Sequence, residues 1–164
     1  IALAIKKEPK IVNKIEIIWL GGNEPGYKDN LEYNFRQDVA AVKIVFESKA
    51  KLTILPCKNV VSKLRIDINT LKKHLENKSE LCNYLIERFY NDGYHGIQDS
   101  RVIWDISAIA YMINKNWFET KLISCPNIRN DTSYEITNNR HNITFVTKLD
   151  RKKIYEDLFN KLGD

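Results

Sequence analysis

Residues 14–22 read Lys-Ile-Glu-Ile-Ile-Trp-Leu-Gly-Gly, a segment rich in β-branched and aromatic side chains that ends at two glycines. Such side chains favour β-strands, and a glycine pair typically marks the loop that follows a strand. The run of apolar residues at positions 17–20 is typical of a strand buried on both faces of a parallel sheet. The segment therefore predicts a buried strand that runs into a loop.

The chain continues with a helix and a second strand. Asp38 is a typical N-cap residue, and the apolar side chains of residues 39–48 follow at helical spacing. Residues 52–56, Leu-Thr-Ile-Leu-Pro, read as a short strand. Because a strand, a helix and a strand with short connectors are typical of a parallel sheet, the predicted fold class is α/β, with a mainly parallel sheet flanked by helices. In such sheets, ligands bind at the carboxyl ends of the strands.

No linker interrupts the rest of the sequence, so all 164 residues are expected to belong to one domain. Pro9 ends a helical segment at residues 1–7, because proline cannot continue the hydrogen bonding of a helix. Asp105 and Asp150 each stand where a helix is expected to begin. Other helices are expected at residues 64–74, 79–90 and 153–162, and other strands at residues 122–125, 134–136 and 143–149.

Composition narrows the class of protein. The net charge is +5, but the basic residues are scattered and often neighbour acids, which is typical of a solvated helix surface rather than a nucleic-acid site. No apolar run approaches the roughly 18 residues of a membrane span. Cys57, Cys82 and Cys125 show no metal-binding spacing, and their odd number indicates a reducing compartment. We therefore expect a cytoplasmic protein without nucleic-acid or membrane partners.

Three segments then occur in a fixed order: Trp-Leu-Gly-Gly at residues 19–22, Glu-Tyr-Asn-Phe at residues 32–35 and Trp-Asp-Ile-Ser-Ala-Ile-Ala at residues 104–110. Between the last two, residues 38–48 include Asp-Val-Ala-Ala and Val-Phe-Glu-Ser. This order and spacing resemble the inosine-uridine-type nucleoside hydrolase family. The resemblance implies a calcium-dependent enzyme of purine and pyrimidine salvage that hydrolyses the bond between ribose and nucleobase.

The resemblance also implies that the chain is one part of a larger domain. Members of the family carry an N-terminal aspartate cluster, Asp-x-Asp-x-Gly-x-Asp-Asp, that holds calcium and activates water, and this sequence contains no such cluster. We therefore expect residues 1–164 to be the C-terminal part of a single nucleoside hydrolase-like domain, inactive without its N-terminal part. The resemblance further implies a homo-oligomer. Two rival interpretations are a homologue that binds ribosyl compounds without turnover and a purely structural module.

The chemistry of N-glycosidic cleavage sets what the site must contain. The reaction passes through an oxocarbenium-like ribosyl cation, so the site needs a water nucleophile, negative charge near the sugar and groups that bind its hydroxyls. A hard divalent ion can bind two ribose hydroxyls and lower the pKa of the attacking water. Carboxylates and amides near the expected strand ends are therefore the first candidates.

By the resemblance, Asp105 matches the family's last metal carboxylate and is expected to bind calcium; the alternative is an ordinary helix cap. Glu32 and Asn34 would bind ribose hydroxyls, and their spacing would place both side chains on one side of an extended segment. The alternative for this pair is a polar loop that caps the next helix. Asn30 or Tyr27 would supply a further ribose contact.

The group that protonates the leaving base departs from the family pattern. Many members have a histidine directly before the last metal aspartate, where this chain has Trp104, and an indole cannot donate a useful acid proton at neutral pH. Trp104 could activate the base by stacking on it, or it could pack the end of a strand against the core. His95, in a loop flanked by Gly93 and Gly96, could replace the missing acid. The alternative is an exposed loop histidine with no role.

Overall fold

A computed structural model describes residues 1–93 and 95–163 of the chain. Its strands, in chain order, are β1 (Glu16–Leu20), β2 (Lys51–Leu55), β3 (Arg65–Asp67), β4 (Ser100–Val102), β5 (Phe118–Ser124), β6 (Asn127–Ile128), β7 (Tyr134–Glu135) and β8 (Asn142–Leu149). Its helices are α1 (Ala2–Lys7), α2 (Tyr33–Gln37), α3 (Val39–Glu47), α4 (Ile68–Leu75), α5 (Glu80–Tyr90), α6 (Ile106–Ile113) and α7 (Arg151–Gly163), with short 3₁₀ helices at Pro9–Asn13, Val61–Lys63 and Lys115–Trp117.

The central sheet has four strands in the order β1, β2, β8, β5. β1 runs parallel to β2, and β2 runs parallel to β8, whereas β5 runs antiparallel to β8. This arrangement confirms the predicted α/β class with a mainly parallel sheet. In the register of the first pair, Leu20 lies opposite Leu55, so β1 and β2 end at the same edge of the sheet. The loops that follow these two strands are therefore neighbours.

Helices cover both faces of this sheet, because the side chains of its inner strands alternate between two cores. Leu52 and Ile54 of β2 pack with Phe46 of α3 on one face. Leu55 belongs to the core on the other face, which α4, α5, α6 and α7 complete. Because the apolar sides of helices cover both faces of the sheet, polar side chains that act together are expected at the strand ends.

The segment after β2 departs from the sequence prediction. Residues 64–74 were expected to form one helix, but Arg65–Asp67 is a short strand that pairs antiparallel with β4. Its side chains alternate, since Ile66 is buried between exposed Arg65 and Asp67. Asp67 then caps α4, because its Oδ1 accepts a hydrogen bond from Thr70 N at 2.8 Å. The expectation was wrong over residues 64–67 and correct for the helix that follows.

The three cysteines form no disulfide. Cys57, Cys82 and Cys125 are all free and buried. Their thiols lie in different parts of the two cores, in keeping with their wide separation in the sequence. Within the described residues, no helix combines the length and the apolar character needed to cross a membrane.

Candidate active site

A cleft of about 740 Å³ opens at the edge where β1 and β2 end. Five of the seven residues considered for the site, from three separate segments of the sequence, contribute to its walls. The fold brings these side chains to the position where parallel sheets bind ligands. The cleft is lined by Leu20, Glu32, Tyr33, Asn34, Cys57, Asp92, His95, Trp104 and Asp105.

The glycine pair after β1 shapes the first wall of the cleft. A Cβ on Gly21 would collide with the Trp19 ring, and one on Gly22 would collide with the Tyr134 hydroxyl. Gly22 also has a φ of +70°, which side chains other than glycine rarely adopt. In this conformation Gly22 N donates a hydrogen bond to Glu32 Oε1 at 2.9 Å. The glycines thus let the chain pass close to the aromatic core and direct an N–H at the carboxylate.

Glu32 holds the start of α2 with its side chain. Oε1 also accepts from Phe35 N at 2.6 Å, and Oε2 accepts from Asn34 N at 2.7 Å. The helix-capping role considered as the alternative for Glu32 is therefore present. The same three bonds fix the carboxylate at the wall of the cleft. Because a carboxylate oxygen can accept more than one hydrogen bond, Oε2 keeps capacity for another donor.

Asn34 lies in the first turn of α2, not in an extended segment. The geometric reason expected for a shared orientation of Glu32 and Asn34 was therefore wrong. Both side chains reach the cleft because the Glu32 carboxylate folds back over the helix start. Asn34 Nδ2 donates to Leu20 O at 2.9 Å, which ties α2 to the end of β1. One amide hydrogen and Oδ1 of Asn34 make no further hydrogen bond within the described residues.

Asn30 is placed elsewhere: it is 1% exposed and is not among the residues that line the cleft. Its Oδ1 accepts from Asn23 N at 2.6 Å, and its Nδ2 donates to Thr132 O at 2.7 Å. Tyr27 also lies outside the cleft lining, where its hydroxyl accepts from Asn59 Nδ2 at 2.7 Å. Asn30 therefore supports the loop behind the cleft, and neither residue is positioned for the expected ribose contact.

Asp105 and Trp104 form the opposite wall. Asp105 precedes α6, but its side chain makes no capping hydrogen bond to that helix. Asp38 and Asp67, by contrast, both cap the helices that they precede. Asp105 is exposed to the cleft, and Trp104 is 39% exposed beside it. The Asp105 side chain therefore does not act as a helix cap. The Trp104 side chain is only partly packed in the core.

Cys57 lies at the base of the cleft and was missed by the sequence analysis. It follows β2 directly, and its N donates to Gly22 O at 2.9 Å. Burial raises the pKa of the Cys57 thiol far above its usual range, and the nearby carboxylates of Glu32 and Asp105 raise it further. Cys57 therefore stays protonated at neutral pH and is a poor nucleophile. Its place after a predicted parallel strand was the signal that could have identified it.

His95 lies at the tip of a hairpin that reaches the cleft, with its side chain 57% exposed. Its Nδ1 is 2.6 Å from Asp92 Oδ2. Asp92 also lines the cleft and was missed as a site residue. The signal for Asp92 was its spacing: an aspartate commonly accepts hydrogen bonds from residues two or three positions later in a turn.

The described residues do not by themselves form a metal site. Within that part of the chain, no three histidine, cysteine, aspartate or glutamate side chains are grouped as potential ligands. Calcium takes about six to eight oxygen ligands. Asp105 could supply one carboxylate, whereas the oxygens of Glu32 already accept three backbone N–H groups. Among the described residues that line the cleft, Asp105 is therefore the carboxylate with the most capacity for a metal ion.

Solved structures of nucleoside hydrolases share this fold. The inosine-uridine preferring nucleoside hydrolase from Bacillus anthracis superposes with a TM-score of 0.75 at 16% identity, over 99% of this chain and 56% of that one. A plant nucleoside hydrolase gives 0.79 at 15% identity, over 99% and 58%. The purine-preferring ribonucleoside hydrolase from Gardnerella vaginalis gives 0.78 at 18% identity, over 99% and 56%.

The sequence defines the family. The family model described as inosine-uridine preferring nucleoside hydrolase matches residues 1–156, and the chain belongs to this family. No curated protein sequence matches it. The chain spans 56–58% of the length of the three solved structures described above.

Proposed function

We propose that the full-length protein containing this chain hydrolyses the N-glycosidic bond of ribonucleosides to give ribose and a free base. One observation carries the proposal. Glu32, Asn34, His95, Trp104 and Asp105 line a single cleft at the carboxyl ends of two parallel strands, in a chain of the nucleoside hydrolase family. Each residue type suits one requirement of the reaction.

Glu32 and Asn34 are the proposed ribose-binding residues. Oε2 of Glu32 can accept a hydrogen bond from a sugar hydroxyl, and the Asn34 amide can both donate and accept. The three backbone bonds to Glu32 hold its negative charge in place before substrate binds. Negative charge fixed near the sugar stabilises the oxocarbenium-like transition state more than the neutral ground state.

Trp104 and His95 are proposed to act on the leaving base. The exposed face of Trp104 offers a surface on which a purine or pyrimidine can stack. As a water oxygen bonds to the anomeric carbon, the electron pair of the breaking C–N bond passes to the base. The base takes a proton from Nε2 of the His95 imidazolium, and the proton of the water goes to solvent. His95 returns to the charged form by taking a proton from solvent.

Asp105 is proposed as one oxygen ligand of a divalent metal, and the proposed metal is calcium. The other ligands, and the group that activates water, would come from the aspartate cluster outside this chain. The isolated chain is therefore expected to be inactive. Assembly as a homo-oligomer and a cytoplasmic location remain predictions; the three free, buried cysteines support a reducing compartment.

A catalytically inactive homologue that binds ribosyl compounds is the second candidate. The observation that favours it is Trp104 at the position where many family members have the acidic histidine. Such a protein would keep the contacts of Glu32 and Asn34 while lacking leaving-group activation. Ribose binding without turnover would distinguish it from the enzyme.

The test is ribose release from inosine, guanosine and uridine by the full-length protein, after its intact mass has been measured. The mass shows whether additional sequence accompanies residues 1–164. Ribose release with calcium, and its loss on adding a chelator, is the expected result. Binding of ribose without release would favour the inactive homologue. If the protein neither binds ribose nor releases it from nucleosides, both candidates are rejected.

A further inference from the structure

The hairpin that carries His95 joins α5 to β4 and is closed by backbone bonding. Asn91 and Ile97 form an antiparallel bridge, and Gln98 N donates to Tyr90 O at 3.0 Å. Gly93 and Gly96 have φ values of +77° and +69°, which allow the tip to turn sharply within a few residues. The tip carries Asp92 and His95 to the wall of the cleft.

Asp92 binds His95 through both oxygens of its carboxylate. Oδ1 accepts from His95 N at 2.7 Å, which fixes the backbone of the turn. Oδ2 lies 2.6 Å from His95 Nδ1, which fixes the ring. Since an ionised carboxylate only accepts hydrogen bonds, Nδ1 must carry the proton in this contact. The other ring nitrogen, Nε2, is on the far side of the imidazole from Asp92.

Two arginines bind Asp92 within the turn of the hairpin. Arg101 of β4 donates from NH1 to Asp92 Oδ2 at 2.6 Å and from NH2 to Gly96 O at 3.3 Å. The Arg101 side chain is only 17% exposed, so its guanidinium lies mostly beneath the hairpin. Arg88 of α5 donates from NH2 to Asp92 O at 2.6 Å. Asp92 is therefore anchored to both elements that flank the hairpin: its carboxylate to Arg101 of β4 and its backbone oxygen to Arg88 of α5.

We infer that Asp92 is a positioning residue that holds His95 with Nδ1–H on its carboxylate and Nε2 toward the cleft. The inference rests on the proposed function, because it assigns His95 as the acid that protonates the leaving base. Arg101 acts one step further away, by fixing Asp92. A carboxylate on Nδ1 also fixes the orientation of the ring, so that Nε2 is the nitrogen from which the imidazolium donates its proton. The fold thus supplies an oriented histidine at a cleft where Trp104 occupies the usual acid position.

The kinetic test uses two leaving groups in the full-length protein. Because 4-nitrophenolate leaves without protonation, 4-nitrophenyl riboside reports on the sugar site alone. Asp92→Asn should lower kcat for inosine by about tenfold or more and change KM little. This loss should not exceed the full contribution of a general acid, since Asp92 acts through His95. Hydrolysis of 4-nitrophenyl riboside should change by less than about twofold. Asp99→Asn, the same charge change at an exposed residue of the same segment, should leave both substrates unaffected.

A double variant separates positioning from direct contact with substrate. If Asp92 acts only through His95, then Asp92→Asn should have no further effect on inosine hydrolysis in the His95→Ala background. A double variant clearly slower than His95→Ala would overturn the inference, because Asp92 would then have a role of its own. Equal loss on both leaving groups in Asp92→Asn would overturn it too.

A spectroscopic measurement makes the inference independent of turnover. The ring nitrogens of His95 are assigned in ¹⁵N spectra of the full-length protein by the signals lost in His95→Gln. In the neutral ring, the proton should reside on Nδ1 in the wild type and shift toward Nε2 in Asp92→Asn. A wild-type ring protonated on Nε2 would contradict the contact. Failure to release ribose from any nucleoside would instead reject the proposed function, while these signals would still decide the Asp92 contact.

Discussion

The two walls of the cleft are held in different ways. In the first wall, residues 21–34, the polar side chains of Asn23 and Asn30 are buried, and Asn30 binds Thr132 across the fold. In the second wall, which includes Asp92, His95, Trp104 and Asp105, His95 and Trp104 are exposed, and Asp92 bonds to Arg88 and Arg101 of the two elements that flank the hairpin. The first wall depends on long-range packing, and the second depends on local contacts.

Because of this difference, substitutions in the two walls should affect stability and activity differently. A side chain of the first wall supports both the fold and the proposed ribose contacts, so its loss should affect stability and turnover together. A side chain at the tip of the second wall supports little else, so its loss should affect turnover alone. Substitutions on the two walls can therefore test the comparison directly.

The largest effect is expected for Asp105→Ala, which should abolish ribose release by the full-length protein and weaken calcium binding. Because the Asp105 carboxylate caps no helix, the free energy of unfolding should change by less than about 0.5 kcal/mol. Activity assays, calcium titration and urea unfolding measure these quantities. Asp67→Ala is the matched control: it removes a true helix cap, so it should lower stability and leave turnover intact. Near-normal activity in Asp105→Ala would rule out Asp105 as a metal ligand.

His95→Ala should lower kcat for inosine by at least about 100-fold, the usual contribution of a general acid. Stability should hardly change, since the His95 ring is exposed at the hairpin tip. Steady-state kinetics and urea unfolding check both statements. His74→Ala is the control for activity, because the His74 ring stacks on Phe159, with ring centroids 4.2 Å apart, and does not line the cleft. A loss of only a few-fold in His95→Ala would return His95 to the role of a surface residue.

Asn30→Ala tests the first wall. Removing its amide leaves Asn23 N and Thr132 O without their buried partner, so unfolding should become easier by about 2 kcal/mol. Turnover should fall as well, because the loop that positions Glu32 loses its anchor. Asn160→Ala, at an exposed position of α7, should be nearly neutral in both assays. Loss of activity with unchanged stability would show that Asn30 acts directly on the substrate.

The smallest effect concerns the Cys57 thiol. Because its pKa is raised in the folded state, its contribution to stability is complete below the ordinary thiol pKa of about 8.5 and declines as pH rises above it. Between pH 7.5 and 10, wild-type protein should therefore lose more free energy of unfolding than Cys57→Ala. Iodoacetamide should react with Cys57 slowly at pH 8 until the protein is unfolded. Fast alkylation of the folded protein would contradict the raised pKa.

The sequence predicts the first half of the sheet well, because β1, α3 and β2 follow from local patterns of apolar residues and from the Asp38 cap. It does not predict β3, because three residues carry too little periodicity to distinguish a strand from a helix start. The burial of Asn30 depends on Thr132, whose position no local pattern specifies. Likewise, Arg101 reaches Asp92 only because a hairpin folds back onto β4.

The candidate site was likewise predictable from the sequence only in part. Of the seven residues considered for the site, Glu32, Asn34, His95, Trp104 and Asp105 line the cleft, but neither the resemblance nor the spacing explains the fixed orientation of Glu32. That orientation arises partly from the N–H of Gly22, ten positions earlier in the chain, and the Asp92 carboxylate is held by Arg101 of β4, nine positions later. These two contacts depend on how the chain folds back on itself, and the spacing of the residues alone does not predict them.

The central claim is that this cleft holds the sugar of a ribonucleoside. A crystal structure of the full-length protein with bound ribose tests it most directly. The account predicts ribose hydroxyls within hydrogen-bonding distance, about 3.2 Å or less, of the Glu32 carboxylate and the Asn34 amide. It also predicts that the anomeric carbon points into the space between Trp104 and His95. Ribose bound at another surface, with these side chains facing only solvent, would contradict the account.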